Sequence, residues 1–430
     1  VFAERRERFL DAMGPDAVAI VQGASLVTRS ADTEYPFRQD SDFWYLTGFG
    51  HPDATAVFRT TADAPRYTLV VQPRDRAAET WTGYRPGTEG AMADYGADAA
   101  HESGQLLEAM PDLLAGARRI YHAFGRRPAL DARVVEIQES LRLHSRRGVS
   151  PAADIVDPRS ILHEMRLFKS QEELEIMRRA ADISREAHHE ACQLVAPGRF
   201  EYEIEAALDY VFRRRGGSGP AYGSIVAGGA NAAILHYVTN DRPLDAGALL
   251  LVDAGAELEG YASDVTRTYP VDGRYSGAGK AVYEVVLAAQ RAALEAVRPG
   301  ATLPDIHTLT VRRLVEGMVG VGLLEGDVDD LIAEETYRTF YMHSTSHWLG
   351  LDVHDAGSYA LDGKPRPLEP GMVFTVEPGV YVARDEERAP EAFRGLGVRI
   401  EDNVVVTPDG CEILTASIPT APADVENWMV

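Results

Sequence analysis

Short polar words interrupt apolar, strand-like runs in the second half of this 430-residue chain. LLLVDAG ends in Asp253-Ala254-Gly255, and eleven residues after Asp253 the word SDVTRT holds Asp264. STSHWLGLDVHD carries His347 and His354, MVFTVEPGVYV carries Glu377, and GVRIEDNVVV carries Arg399 and Glu401, whose spacing of two puts them on one face of a strand. A lone carboxylate in a Val/Leu strand is costly to bury unless it is paired or bound to a cation. Asp253, Asp264, His347, Glu377 and Glu401 therefore form a candidate ligand set of four carboxylates and one imidazole. Oxygen-rich ligands favour hard divalent ions. Four carboxylates overneutralise one dication, whereas two dications bridged by carboxylates and a hydroxide set +4 against −4. A hydroxide held between two dications is a nucleophile available near neutral pH.

Each word alone has a plainer reading. An Asp at a strand end commonly belongs to a turn, Glu377 before Pro378-Gly379 reads as a strand terminus, and a single His in an apolar run is usually a core residue. Their coincidence within about 150 residues is what favours a shared site. Other motifs fall away. Gly277-Ala278-Gly279-Lys280 runs into Ala281 and lacks the earlier glycine of a phosphate loop, and His188-His189-Glu190 lacks the second histidine of a zinc-protease helix. No Gly-x-Ser-x-Gly elbow occurs.

The elements that must position these residues follow from periodicity. Asp253 and Asp264 end and begin two apolar runs around a Glu259-Gly260-Tyr261 turn, which predicts a hairpin with the carboxylates side by side. Before them come two helices, one from the Ser170/Glu173 capping box to about Val195 with Leu174, Met177, Ala181, Ser184 and His188 along one side, the other over Tyr202 to Arg215. Helices over Gly279 to Val297 and Pro304 to Val319 follow, then strands over Met372 to Val376 and Val398 to Val406. This α+β order suggests two similar halves without a sequence repeat. Ahead of it, Ala17 to Val21 and Tyr67 to Val71 read as buried strands, while Gln105 to Leu114 and Ala132 to Leu143 read as helices, an α/β pattern. The expected division is a smaller α/β N-terminal domain over residues 1–160 and a catalytic domain over 161–430.

Composition narrows the partners. Lys plus Arg number 43 against 66 Asp plus Glu, a net charge of −23 that disfavours nucleic acid and anionic membrane surfaces. Two cysteines, Cys192 and Cys411, are too few for a disulfide framework and have no metal-site spacing. No apolar run approaches the ~20 residues of a membrane span. The start, Val-Phe-Ala-Glu-Arg-Arg, lacks both an initiator Met and a signal-like core, and reads as a trimmed cytoplasmic start.

The ordered words HYVTN at His236, VDAGAELEGYASDVTRTYP, SHWLGLDVHD, TVEPGVY and GVRIEDN resemble those of the M24 metallopeptidases, the pita-bread fold shared with creatinase and methionine aminopeptidase. Within them the chain is most similar to the aminopeptidase P branch, because YPFRQDSDFWYLTGF resembles that branch's N-terminal domain and HEMRLFKSQEE its linker. The resemblance implies two divalent ions per chain, most often Mn2+, with Zn2+ or Co2+ as alternatives. It also implies that Asp253 holds one ion, His347 and Glu377 hold the other, and Asp264 and Glu401 bridge. His236 and His354 match histidines that meet substrate and the developing oxyanion, Arg399 matches a supporting arginine, and Tyr381 and Trp81 match aromatic residues near the substrate. The expected reaction is release of the N-terminal residue from peptides with proline second, with Glu377 as proton shuttle. A homodimer or homotetramer is expected as well. The alternatives are a dipeptidase restricted to Xaa-Pro, which needs a cationic residue for the substrate carboxylate, and a metal-free binding protein of the same fold.

Overall fold

Ala17–Gln22, Thr55–Arg59 and Tyr67–Val71 are buried along their whole lengths, as continuous β-branched and apolar runs covered on both faces should be. They form the centre of a six-stranded mixed sheet in the computed structural model, which describes residues 1–62, 64–144 and 150–430. Ala17–Gln22 pairs antiparallel with Thr55–Arg59 on one side and parallel with Arg119–His122 on the other. Parallel edge strands Ala99–Glu102 and Asp154–Val156 complete the sheet. The helices Leu106–Leu113 and Pro128–Leu143 supply Met110, Leu113, Leu130 and Val134 to its core.

The chain divides into two compact units, Val1–Arg166 and Leu167–Val430. Position 160 lies in the first turn of the helix Arg159–Leu167, which stays with the first unit for a physical reason. Arg166 donates to the Asp42 carboxylate at 2.7 Å, and the Tyr45 hydroxyl donates to the Met165 carbonyl at 3.2 Å. Burial works against the Asp42 charge, but His163 and Arg166 overcome it and hold the carboxyl down at about 2.

The second unit opens with the helix Gln171–Cys192, started by the reciprocal Ser170/Glu173 capping box, and continues with Glu201–Arg214. Ile225–Gly228, Leu249–Asp253 and Thr266–Pro270 form an antiparallel sheet with Leu249–Asp253 in the middle. A second helix pair, Gly277–Ala296 and Leu303–Gly320, precedes the later strands. Leu250, Val252, Val286, Leu314 and Val398 share one apolar core with the first helix pair. Among the described residues no helix is long and apolar enough to cross a membrane.

Two local departures from the expected pattern create the site. Asp253 does pair opposite Thr266, but the Glu259-Gly260 turn belongs to a subsidiary hairpin of Ala256–Leu258 and Tyr261–Ala262 inserted between the main strands. Its base closes tightly: a Cβ on Gly255 would sit 1.8 Å from the Ser263 carbonyl oxygen, so only glycine fits. The expected continuous strand over Val398 to Val406 is instead two strands. Leu396–Arg399 pairs with Gly379–Val382, and Asp402–Thr407 pairs with Val373–Val376 in a different sheet. Both chains therefore change sheets at the same level, at Glu377-Pro378 and Ile400-Glu401, where the Ile400 N–H bonds the Pro378 carbonyl and the Glu401 N–H bonds that of Thr266. Proline lacks the N–H that would continue the ladder.

Candidate metal centre

The sheet switch turns Glu377 and Glu401 toward the Asp253/Asp264 strands. His347 arrives on a non-strand segment beside them, tied by an isolated bridge between Trp348 and Phe374: the Thr375 N–H bonds the His347 carbonyl, and the Glu377 N–H bonds that of Thr345. His347 Nε2 then lies 3.4 Å from Asp264 Oδ2 and 3.3 Å from Glu377 Oε1. Its Nδ1 lies 3.0 Å from the Trp348 carbonyl, which takes the proton of the neutral ring there and leaves Nε2 with its lone pair toward the cluster. One ligand atom each from Asp264, His347 and Glu401 lies within 4.8 Å of the others, a spacing a single ion can span. Asp253 and Glu377 line the same cavity.

The rest of the site holds these groups in place. The Tyr222 hydroxyl is 2.6 Å from Asp253 Oδ1 and 2.6 Å from Asp264 Oδ1, one proton between two acceptors. Arg399 donates to Asp253 Oδ2 at 2.5 Å, to the Thr266 hydroxyl at 3.0 Å and to the Tyr381 hydroxyl at 3.1 Å. The Thr266 hydroxyl in turn donates to Glu401 Oε2 at 2.6 Å. Arg399 and Glu401 thus meet through Thr266, although the strand break separates them. His188, behind Asp253, bridges the Tyr269 hydroxyl and the Ala254 carbonyl at 3.0 Å each, and burial pushes it down to about 4. It is a core histidine with both nitrogens partnered.

Charge at the site calls for cations. Burial pushes the Glu401 and Asp253 carboxyls up, and for Glu401 the neighbouring carboxylates add to this. Burial lifts Glu377 to about 7 even though His347 and Arg399 oppose the rise. Burial acts against the His347 charge too, but Asp264 and Glu377 outweigh it and lift the imidazole to about 9. Four carboxylates therefore compete for one guanidinium and whatever proton His347 carries, and the donor set fits hard divalent ions. Arg399 adds a positive charge that the −4 against +4 count left out.

The cluster forms the floor of a cavity of about 760 Å³. His236 and His354 line its walls with Val238, His343 and Tyr359. The His347 and His354 rings meet edge to face at 4.3 Å. Tyr381 is buried, with its hydroxyl taken by Arg399 and by His343 at 2.8 Å. Trp81 lies in the N-terminal unit on the helix Arg76–Thr82 and is 88% exposed.

Residues 175–408 match the sequence model of metallopeptidase family M24, and residues 2–121 match that of the aminopeptidase P N-terminal domain. The chain belongs to metallopeptidase family M24. It is 44% identical to the Xaa-Pro aminopeptidase of Escherichia coli strain K12, with 100% of this chain and 97% of that protein covered. The solved structure of aminopeptidase PepP from Pseudomonas aeruginosa superposes with a TM-score of 0.96 at 46% identity, covering 100% of this chain and 97% of that one. A structure described as zinc-substituted Escherichia coli aminopeptidase P in complex with product matches with a TM-score of 0.95 at 44% identity, covering 100% and 97%. The second unit is accordingly the pita-bread domain of the family, preceded by the N-terminal domain found in aminopeptidase P.

Of the sequence-derived residues, the structure brings Asp253, Asp264, His347, Glu377, Glu401 and Arg399 together and sets His236 and His354 around the same cavity. Sequence reasoning missed Tyr222, Thr266 and His343. His343 had a faint signal, a second histidine four residues before His347, and Thr266 sits inside the SDVTRT word. Tyr222 had none.

Proposed function

We propose that this chain is a metal-dependent aminopeptidase that releases the N-terminal residue from peptides with proline in second position. The observation that carries this is the convergence of three buried carboxylates, the partly buried Glu377 and His347 on one cavity that two further histidines also line. Relatives covering the whole chain and named Xaa-Pro aminopeptidase support the substrate class.

Asp253, Asp264, His347, Glu377 and Glu401 would hold two divalent ions, manganese by the family resemblance. Bound there, the ions would supply Lewis acidity and bring the pKa of water toward neutrality. Glu377 faces the cavity at the ligand cluster, where its carboxylate can take a proton from the attacking water and return it to the leaving nitrogen. That transfer matters for an Xaa-Pro bond, whose amide nitrogen carries no hydrogen. His236 and His354, on the walls, can donate hydrogen bonds to the oxygen that gains charge. Arg399 orients Asp253 and opposes the rise that burial imposes on its carboxyl. Substrate contacts from Tyr381 and Trp81 and a homo-oligomeric state rest on the family resemblance, and a cytoplasmic location on the composition.

The test is cleavage of an Xaa-Pro-Xaa tripeptide against an Xaa-Pro dipeptide by the manganese-loaded protein. Release of the first residue from the tripeptide is expected. Cleavage of the dipeptide alone would make the protein a dipeptidase, and cleavage of neither would remove the assignment.

A further inference from the structure

Glu201 is the first residue of the helix Glu201–Arg214 and is 0% exposed. A carboxylate so buried needs strong partners. It has four, all neutral, and all from one loop. Glu201 Oε1 accepts from the Gly228 N–H and the Asn231 side-chain amide, each at 2.8 Å. Oε2 accepts from the Tyr237 hydroxyl at 2.8 Å and the Arg242 N–H at 3.0 Å. The two oxygens thus grip the loop on opposite sides of His236, one at residues 228 and 231, the other at 237 and 242. The loop needs the grip, since Ile234 and Val238 on either side of His236 are 55% and 56% exposed. Gly228 keeps the approach open: a Cβ there would sit 2.9 Å from Leu244 Cδ2 and 3.3 Å from Glu201 Oε1.

We propose that Glu201 is a positioning residue that clamps the His236 loop and sets that histidine against the cavity, a role that rests on the proposed function of His236. A carboxylate serves here because it offers only acceptors, and bonds to a charged acceptor are stronger than neutral ones. Glu201→Gln keeps the shape but turns one of the two gripping atoms into a donor, facing two donors on the loop. One half of the clamp must then open.

The experiment uses the full-length manganese-loaded protein as wild type, Glu201→Gln, Tyr237→Phe, His236→Ala and the His236→Ala/Glu201→Gln double variant. Hydrogen–deuterium exchange is followed over residues 229–242, together with kcat and KM on an Xaa-Pro-Xaa tripeptide and bound metal. In Glu201→Gln, exchange in the loop is expected to rise about tenfold while Leu249–Asp253 stays protected and the metal content is unchanged. Its kcat should fall about as far as that of His236→Ala, and the double variant should be no slower than His236→Ala. Tyr237→Phe should move both readings the same way by less. Unchanged loop exchange, or a kcat loss that multiplies in the double variant, overturns the clamp. Should Glu201→Gln fail to fold, Tyr237→Phe decides by the same exchange reading. A wild type inactive on every Xaa-Pro peptide would refute the function while the exchange reading still judged the clamp.

Discussion

Thr266 and Arg267 are neighbours in the chain, as are Glu401 and Asp402, yet extended-chain alternation sends one of each pair to the ligand cluster and the other into the core. On the core side Arg267 uses all five of its N–H groups: one on the Pro419 carbonyl, two on those of Thr266 and Glu401, and two on Asp402 Oδ1 and the Ile418 carbonyl. Asp402 is completed by the Thr415 hydroxyl and the Gln290 amide, each at 2.6 Å. One charge meets one opposite charge and every polar atom has a partner. On the cavity side, one peptide bond away, carboxylates outnumber cations, Tyr222 has one proton for two acceptors, and burial lifts the Asp253, Glu377 and Glu401 carboxyls while only Asp264, beside His347, is held down against it. Burial alone thus does not separate structural charge from functional charge. The balance of charge within the buried group does.

Breaking each side should fail differently. Asp264→Ala or Glu401→Ala is expected to reduce peptidase activity to the assay background and to lower retained metal, while the circular dichroism spectrum stays native. Loss of the folded spectrum would place these residues on the structural side. Asp402→Ala should do the reverse, leaving the Arg267 guanidinium buried without its anion, a loss of roughly 3–5 kcal/mol in unfolding free energy. A denaturant titration showing less than about 1 kcal/mol would mean that the carbonyl ring around Arg267 suffices.

The imbalance can be sharpened with pH. In the metal-free protein Glu377 titrates near 7 rather than at its ordinary value of 4.5, so the folded state holds extra protons across that window. Stability should therefore fall as pH rises from about 4.5 to 7. His347, raised from 6.5 to about 9, stabilises fully below 6.5 and loses this as pH rises through 9, which carries the decline further. Cation binding needs the deprotonated ligands and strengthens with pH. The Tm difference between manganese-loaded and chelated protein should thus widen from pH 5 to pH 8, and a constant difference would refute the charge argument. The smallest effect is expected at the surface. Arg178 meets Glu412 at 2.7 Å with both side chains about 40% exposed, so Arg178→Ala should change stability by less than about 1 kcal/mol.

The ligand words were legible because a charged residue inside an apolar strand is conspicuous in one dimension. So were the helix pairs, which rest on local periodicity; the expected Asp253/Asp264 hairpin was legible only in part, because Asp253 pairs with Thr266 and the Glu259-Gly260 turn closes an inserted hairpin instead. Tyr222 was not, since its role depends on Asp253 and Asp264, 31 and 42 residues away, and it sits outside any strand. Arg267 and Asp402 lie 135 residues apart, and no local pattern marks an Asp beside Glu401 as a core anion rather than another ligand. The break between Arg399 and Glu401 was hidden for the same reason. Val398 to Val406 reads as one strand, and what it switches sheets against is Pro378, on the segment that pairs with it.

Gly255 sets the spacing of the two aspartates on either side of it. With the Ser263 carbonyl standing where its Cβ would be, the base of the inserted hairpin is shut as far as atoms allow. Asp253 and Asp264 flank that contact like the jaws of a caliper closed to its stop. Any side chain at Gly255 would have to part these two backbones and so shift one carboxylate relative to the other.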